Sequence, residues 1–125
     1  MKVDPKSLNK RDLHELFASA ILPRPIAFVS TIGEDGIFNL APFSFFTPLC
    51  LKPAVVGLSI GWKRGGEKKD TLRNIEFTKD FVVNVVTESL AEAMNKASAE
   101  YSSGVDEFEE VGLTAGKGDV VKAPL

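Results

Sequence analysis

Two short stretches carry residue types able to bind and orient a ligand. The first is Lys68-Lys69-Asp70-Thr71, two cations immediately before an expected helix start. Unpaired N–H groups and the positive end of the helix dipole favour an anion there. Lysines at that end cost the helix roughly 0.3–1 kcal/mol each, and an anion held between them and the N–H groups reverses the sign. The hydroxyls of Thr71 and Ser59 could donate to the same anion. The plainer reading of these lysines is a solvated basic loop. The second stretch is Asn39-Leu-Ala-Pro-Phe-Ser-Phe-Phe46, which sets rings and a proline around Asn39 and Ser44. A short strand over Ile37–Leu40 is expected to break at Ala41-Pro42, because proline fixes its φ and donates no N–H. Backbone groups freed at such a break, beside Ser44 and Phe43, suit a planar heteroaromatic ligand with polar edges. A buried aromatic turn is the alternative.

Other chemistry is poorly supplied. Ser30-Thr31 at a strand end adds two hydroxyls. The single histidine, His14, has no visible partner and reads as solvated, so a hydrolytic triad lacks its base. No Cys/His cluster is present to ligate zinc or iron, and Cys50 reads as a small buried apolar residue. Gly61–Gly66 lacks the Gly-x-Gly-x-x-Gly spacing of phosphate-binding loops. A ligand with a flat polar-edged ring at one end and a phosphate at the other would join the two stretches. FMN, pyridoxal phosphate and mononucleotides all answer that description, and with FMN the redox chemistry would belong to the cofactor.

The elements that must position these residues follow from periodicity and punctuation. Asn9–Ala20 predicts a helix capped by Asn9, with Leu13, Leu16, Phe17 and Ala20 on one face. Ile26–Thr31 and Ile37–Leu40 predict a hairpin about Gly33-Glu-Asp-Gly36. Ala54–Ile60 predicts a third strand, and Phe81–Val86, nearly all apolar, a central fourth. Asp70–Phe77 predicts a helix capped by Asp70 or Thr71, and Ser89-Leu-Ala-Glu92 a capping box opening a helix to Ala97. Beyond Ala99 the chain reads as an acidic loop. A hairpin followed by longer connections suits a mostly antiparallel sheet or partly open barrel with helices. Four strands alone leave open edges, so something must complete the sheet.

Bulk properties narrow the class. The 125 residues suit one domain, and 15 Lys+Arg against 17 Asp+Glu give a net charge of −2, which argues against a nucleic-acid binder. One cysteine cannot form an internal disulfide, no apolar run reaches membrane-spanning length, and the N-terminal residues lack a signal-peptide apolar region. A cytoplasmic protein without membrane attachment is the expectation.

Five segments together resemble the flavin reductase-like family of FMN-binding split-barrel proteins, which includes flavoredoxins. They are Arg24-Pro-Ile-Ala-Phe-Val-Ser-Thr31, Asn39–Phe46, Lys69-Asp-Thr-Leu-Arg-Asn-Ile75, Phe81-Val-Val-Asn84, and Asp106-Glu-Phe108 with Gly112-Leu-Thr114. The resemblance implies a mainly β fold with helices, a split β-barrel binding FMN without a covalent link, commonly as a homodimer. It implies that Ala41, Pro42, Phe43 and Ser44 line the flavin ring. Ser30, Thr31, Lys69, Asp70 and Thr71 would surround the phosphate, with Asn39 and Ser59 as weaker members. It also implies electron transfer from NAD(P)H or another donor, through FMN, to flavin, ferric or protein acceptors. Family members usually continue past the segment matching Val120–Leu125 with further barrel strands, so this chain reads as a domain incomplete at its C-terminal end.

Overall fold

The computed structural model describes residues 2–125. Five strands form two sheets. Strands β1 (Ala27–Ile32), β2 (Phe38–Phe43) and β5 (Val82–Val85) make an antiparallel sheet in the order β2-β1-β5. Strands β3 (Phe46–Leu51) and β4 (Ala54–Leu58) make a separate ribbon. Helices are α1 (Lys10–Ala20), α2 (Asp70–Thr78), α3 (Ala91–Lys96) and α4 (Glu107–Val111).

Strand β1 is the centre, with Ala27 to Thr31 all buried. Alternation of side chains across it divides the core in two. Phe28 and Leu40 pack with Ala97 and Phe108, from the end of α3 and from α4. Ala27, Val29 and Phe43 pack on the opposite face with Phe46, Leu58 and Ile60, which brings the β3–β4 ribbon against the sheet.

The strand expected to break at Ala41-Pro42 runs on to Phe43, with Pro42 opposite Phe28. Strand β2 is an edge, and Leu40, two residues earlier, sends its N–H outward to Glu107. Position 42 therefore points its nitrogen the same way, and the missing donor falls outside the ladder, where proline is tolerated. The chain bends only afterwards, at Ser44-Phe45.

Other expectations change for equally local reasons. Strand β5 is an edge and not central, and its Val85 is 81% exposed. Strand β3, its run interrupted by Pro48 and a register shift between Pro48 and Cys50, escaped the periodicity reading. Cys50 lies exposed on it. The capping box at Ser89 does not form: Glu88–Leu90 is a 3-10 turn, and Leu90 precedes α3 without a side-chain cap. Asn9 caps α1 as expected through Asp12 N–H, yet no residue of α1 is buried. His14 is not solitary; its ring stacks on Phe45 at 5.4 Å. The acidic stretch after Ala99 contains α4, capped by Asp106 and stopped by Gly112 at φ 74°, a left-handed value that glycine adopts without a Cβ clash.

Candidate functional site

The open edge of β2, the N-terminus of α2 and the segment following α3 enclose a cleft of about 500 Å³, within the size range of small-molecule sites. Asn39, Ala41 and Pro42 line it from β2, Lys69, Asp70 and Thr71 from the start of α2, Trp62 and Arg64 from the basic loop, and Glu107 from α4.

The phosphate-seeking features sit together at the start of α2. Lys69, not Asp70 or Thr71, is the N-cap residue, and no side chain among the described residues caps the helix. Leu72 N–H already bonds Lys69 O, so the amides without an intrahelical or capping partner among the described residues are those of Asp70 and Thr71. Lys69 Nζ lies 5.5 Å from the centre of the Phe43 ring and has no carboxylate partner among the described residues. The two neighbouring lysines are engaged: Lys68 pairs with Glu76 and Lys63 with Asp70, each at 2.7 Å. Arg64, at the cleft opening, has no ion pair among the described residues.

Asp70 faces three partners: Lys63, Arg73, and Ser103, which donates to Oδ1 at 2.9 Å. Burial alone would raise the Asp70 carboxyl. The hydrogen bonds from Lys63 and Ser103 and the charges of Lys63 and Arg73 outweigh it and hold the group below the usual Asp value. A lowered folded-state value means stability that is fully present above the unfolded value, about pH 4, and is lost as pH falls through the folded one. Asp70→Asn should therefore flatten the acid side of the stability profile. Urea midpoints measured between roughly pH 6 and pH 3 check this, and an acid slope equal to that of the unmodified chain refutes it.

Beneath the cleft runs a polar network absent from the sequence reading. Asn39 Nδ2 donates to Glu107 Oε1 at 2.7 Å, and Leu40 N–H donates to Oε2 at 3.1 Å. Thr71 and Thr31 both donate to Asn39 Oδ1, at 2.7 and 3.2 Å, and Asn74 Nδ2 donates to Thr31 at 3.0 Å. Burial pushes the Glu107 carboxyl up; the N–H groups of Leu40 and Asn39 pull it part of the way back, and the charge of Asp70 adds to the rise.

Six of the eleven residues expected at the site thus share one cleft: Asn39, Ala41, Pro42, Lys69, Asp70 and Thr71. The other five lie elsewhere. Ser30 and Thr31 are fully buried on opposite faces of β1: Ser30 donates to Pro124 O and accepts from Asn84, while Thr31 joins the network above. The pleat sends adjacent strand side chains to opposite faces of the sheet. Phe43 is buried in the core under Lys69. Ser44 accepts from Arg24 Nε at 3.4 Å, and Ser59 is exposed, its N–H bound to Phe45 O. Glu107, Trp62 and Arg64 were missed.

This is a mainly β molecule with flanking helices, and its architecture is that of the split barrels. Residues 18–125 match the Flavin reductase like domain, and the chain belongs to that family. It is 43% identical over 124 residues to an uncharacterized protein of Halalkalibacterium halodurans, covering 99% of this chain and 59% of that one. The crystal structure of nitrilotriacetate monooxygenase component B from Bacillus cereus superposes with a TM-score of 0.92 at 32% identity, covering 100% of this chain and 61% of that one. A putative flavin reductase with split barrel domain from Shewanella frigidimarina gives 0.79 at 26% identity, covering 97% and 59%. The chain therefore spans about three fifths of the length of these relatives. No helix among the described residues is long and apolar enough to cross a membrane.

Proposed function

We propose that the cleft binds FMN and that the protein is a flavin-dependent oxidoreductase using NAD(P)H as donor. The observation that carries this reading is the placing of Lys69, without a carboxylate partner, at an uncapped helix start in the same cleft as Ala41 and Pro42. The donor set fits the group: a cation and free amides for a phosphate at one end, apolar strand edge for a ring at the other. Lys69 and the first amides of α2 would hold the phosphate. Ala41 and Pro42 would lie against the ring, and Asn39 between the two ends. Trp62 and Arg64 border the opening. Asp70, neutralised by Lys63 and Arg73, keeps its negative charge from opposing the phosphate. Bound FMN would supply the redox chemistry, accepting electrons from NAD(P)H and passing them to flavin, ferric or protein acceptors.

We also propose a cytoplasmic homodimer. The exposed Leu49, Leu51 and Val56 on the β3–β4 ribbon and Val85 on β5 support an assembly that covers them. The test is the visible absorption spectrum of the purified protein before and after incubation with FMN and desalting. Retained flavin bands near one FMN per chain are expected, and bleaching by NADH or NADPH identifies the donor. A bound flavin bleached only by dithionite would make the protein an electron carrier. Absence of retained flavin would overturn the cofactor assignment for this length of chain.

A further inference from the structure

We propose that Glu107 is a positioning residue: it fixes the Asn39 amide so that one N–H is left to donate to a ligand oxygen in the cleft. The inference rests on the flavin reading for the identity of that ligand. Both Glu107 oxygens accept, Oε1 from the Asn39 NH₂ at 2.7 Å and Oε2 from Leu40 N–H. The Asn39 oxygen then faces the two threonines, and both of its acceptor positions are filled by Thr31 and Thr71. The NH₂ has two hydrogens and one partner among the described residues. Asn39 is 6% exposed and lines the cleft, and an amide this buried with an unpartnered hydrogen is a donor awaiting an acceptor. Lys69 and the α2 amides already serve the phosphate, while Asn39 sits between Thr71 and Ala41. Its N–H therefore suits an oxygen of the part that FMN and riboflavin share, a ribityl hydroxyl or ring carbonyl.

The substitution Glu107→Gln would reverse the chain of donors. Leu40 N–H requires an acceptor, so the new side chain keeps its oxygen there and turns its NH₂ to Asn39. Asn39 must then present its oxygen to that NH₂ and its two N–H groups to Thr31 and Thr71, while Thr31 donates to a turned Asn74. Each of these groups keeps at least one partner, but Asn39 has no hydrogen left for the cleft.

The experiment compares the unmodified chain with Glu107→Gln in FMN and riboflavin titrations by fluorescence, in urea melts, and in side-chain amide NMR of the ligand-free chains. Glu107→Gln should weaken both flavins by the same factor, about threefold to tenfold for one hydrogen bond, with no matching loss of stability, because a costly buried charge has been removed. A purely structural role would move affinity and stability together, and that result, unchanged affinities, or a loss confined to FMN would each overturn the proposal. The NMR arm needs neither flavin nor a folded variant. In the unmodified chain one Asn39 amide proton should be shifted downfield and slow to exchange, the other fast, and two equally slow protons would overturn the assignment. If neither flavin binds the unmodified chain, the flavin reading and the choice of ligand oxygen fall, while the free N–H is still decided by NMR.

Discussion

With FMN bound as proposed, Lys69→Ala should weaken it by roughly 10–100-fold and leave riboflavin within about twofold, the range expected for removing one hydrogen bond between charged groups, about 1.5–3 kcal/mol. The selectivity follows from what surrounds the residue. Lys69 is the N-cap of α2 and has no carboxylate within ion-pair distance among the described residues, whereas Lys68 is held by Glu76 and Lys63 by Asp70. Neither lysine can replace it without abandoning an existing ion pair, and the cation that remains without one, Arg64, belongs to the loop at the cleft opening and not to the helix start. The unpaired α2 amides remain in the variant, so phosphate recognition is reduced and not abolished. Lys69 also lies over the Phe43 ring, a contact worth about 0.5–1 kcal/mol of stability at a partly exposed site. Folding is therefore retained, and the loss reads on binding. Parallel fluorescence titrations of the two flavins measure the effect. Equal weakening of both would place the phosphate elsewhere and remove the main support for the orientation proposed above.

The elements that carry strong local signals are those the sequence predicts well. Asn9 opens α1 because its side chain accepts from Asp12 N–H, and the β1–β2 hairpin follows from Gly33 and Gly36, the latter at φ 82°. The start of α2 is legible through its charges, although the capping residue itself is Lys69, whose extended backbone, not its side chain, marks the boundary. Pro42 misleads because a proline in a strand has two outcomes. It breaks a ladder when its nitrogen faces a neighbour and is harmless when that nitrogen faces an open edge, a choice fixed by strand order. Strand order is a property of the whole sheet, and the few residues about Pro42 do not contain it.

The site was half legible for a related reason. Asn39, Ala41, Pro42, Lys69, Asp70 and Thr71 lie on two segments whose chemistry is local. Glu107 lies on α4, whose five residues are too few for periodicity to register. Its signals were Asp106 as a cap, Gly112 as a stop and its place in the Asp106-Glu-Phe108 segment of the family resemblance, which assigned it no role. The local chemistry of the acidic run does not separate this buried carboxylate from its exposed neighbours Glu109 and Glu110. Ser30 and Thr31 show the converse case. A Ser-Thr pair looks like two ligand hydroxyls in one dimension, but the pleat of β1 sends one to Pro124 and the other to Asn39.

Asn39→Ala destabilises the fold by about 3 kcal/mol or more, well beyond the ordinary surface substitution. Asn39 is where three elements meet: α4 through Glu107, the neighbouring β1 through Thr31, and α2 through Thr71. Alanine leaves one oxygen of the buried Glu107 carboxylate and the Thr71 hydroxyl without a partner and takes from Thr31, which keeps its bond from Asn74, the acceptor for its hydrogen. Each such loss costs about 1–3 kcal/mol unless water reaches the group. Water can enter from the cleft, which is why the expected total lies near the lower end of that sum. For a chain of this size the fall in Tm is roughly 10 °C. Ser59→Ala, at an exposed position whose side chain has no partner among the described residues, should stay within about 0.5 kcal/mol. The double variant Asn39→Ala/Glu107→Ala should be less unstable than the sum of the two single changes, because removing the carboxylate also removes the group that Asn39→Ala strands. Urea melts of the unmodified chain, the two single variants and the double variant measure these differences. A loss below about 1 kcal/mol for Asn39→Ala, or strict additivity in the double variant, would mean that β2, α2 and α4 are joined by their apolar contacts alone.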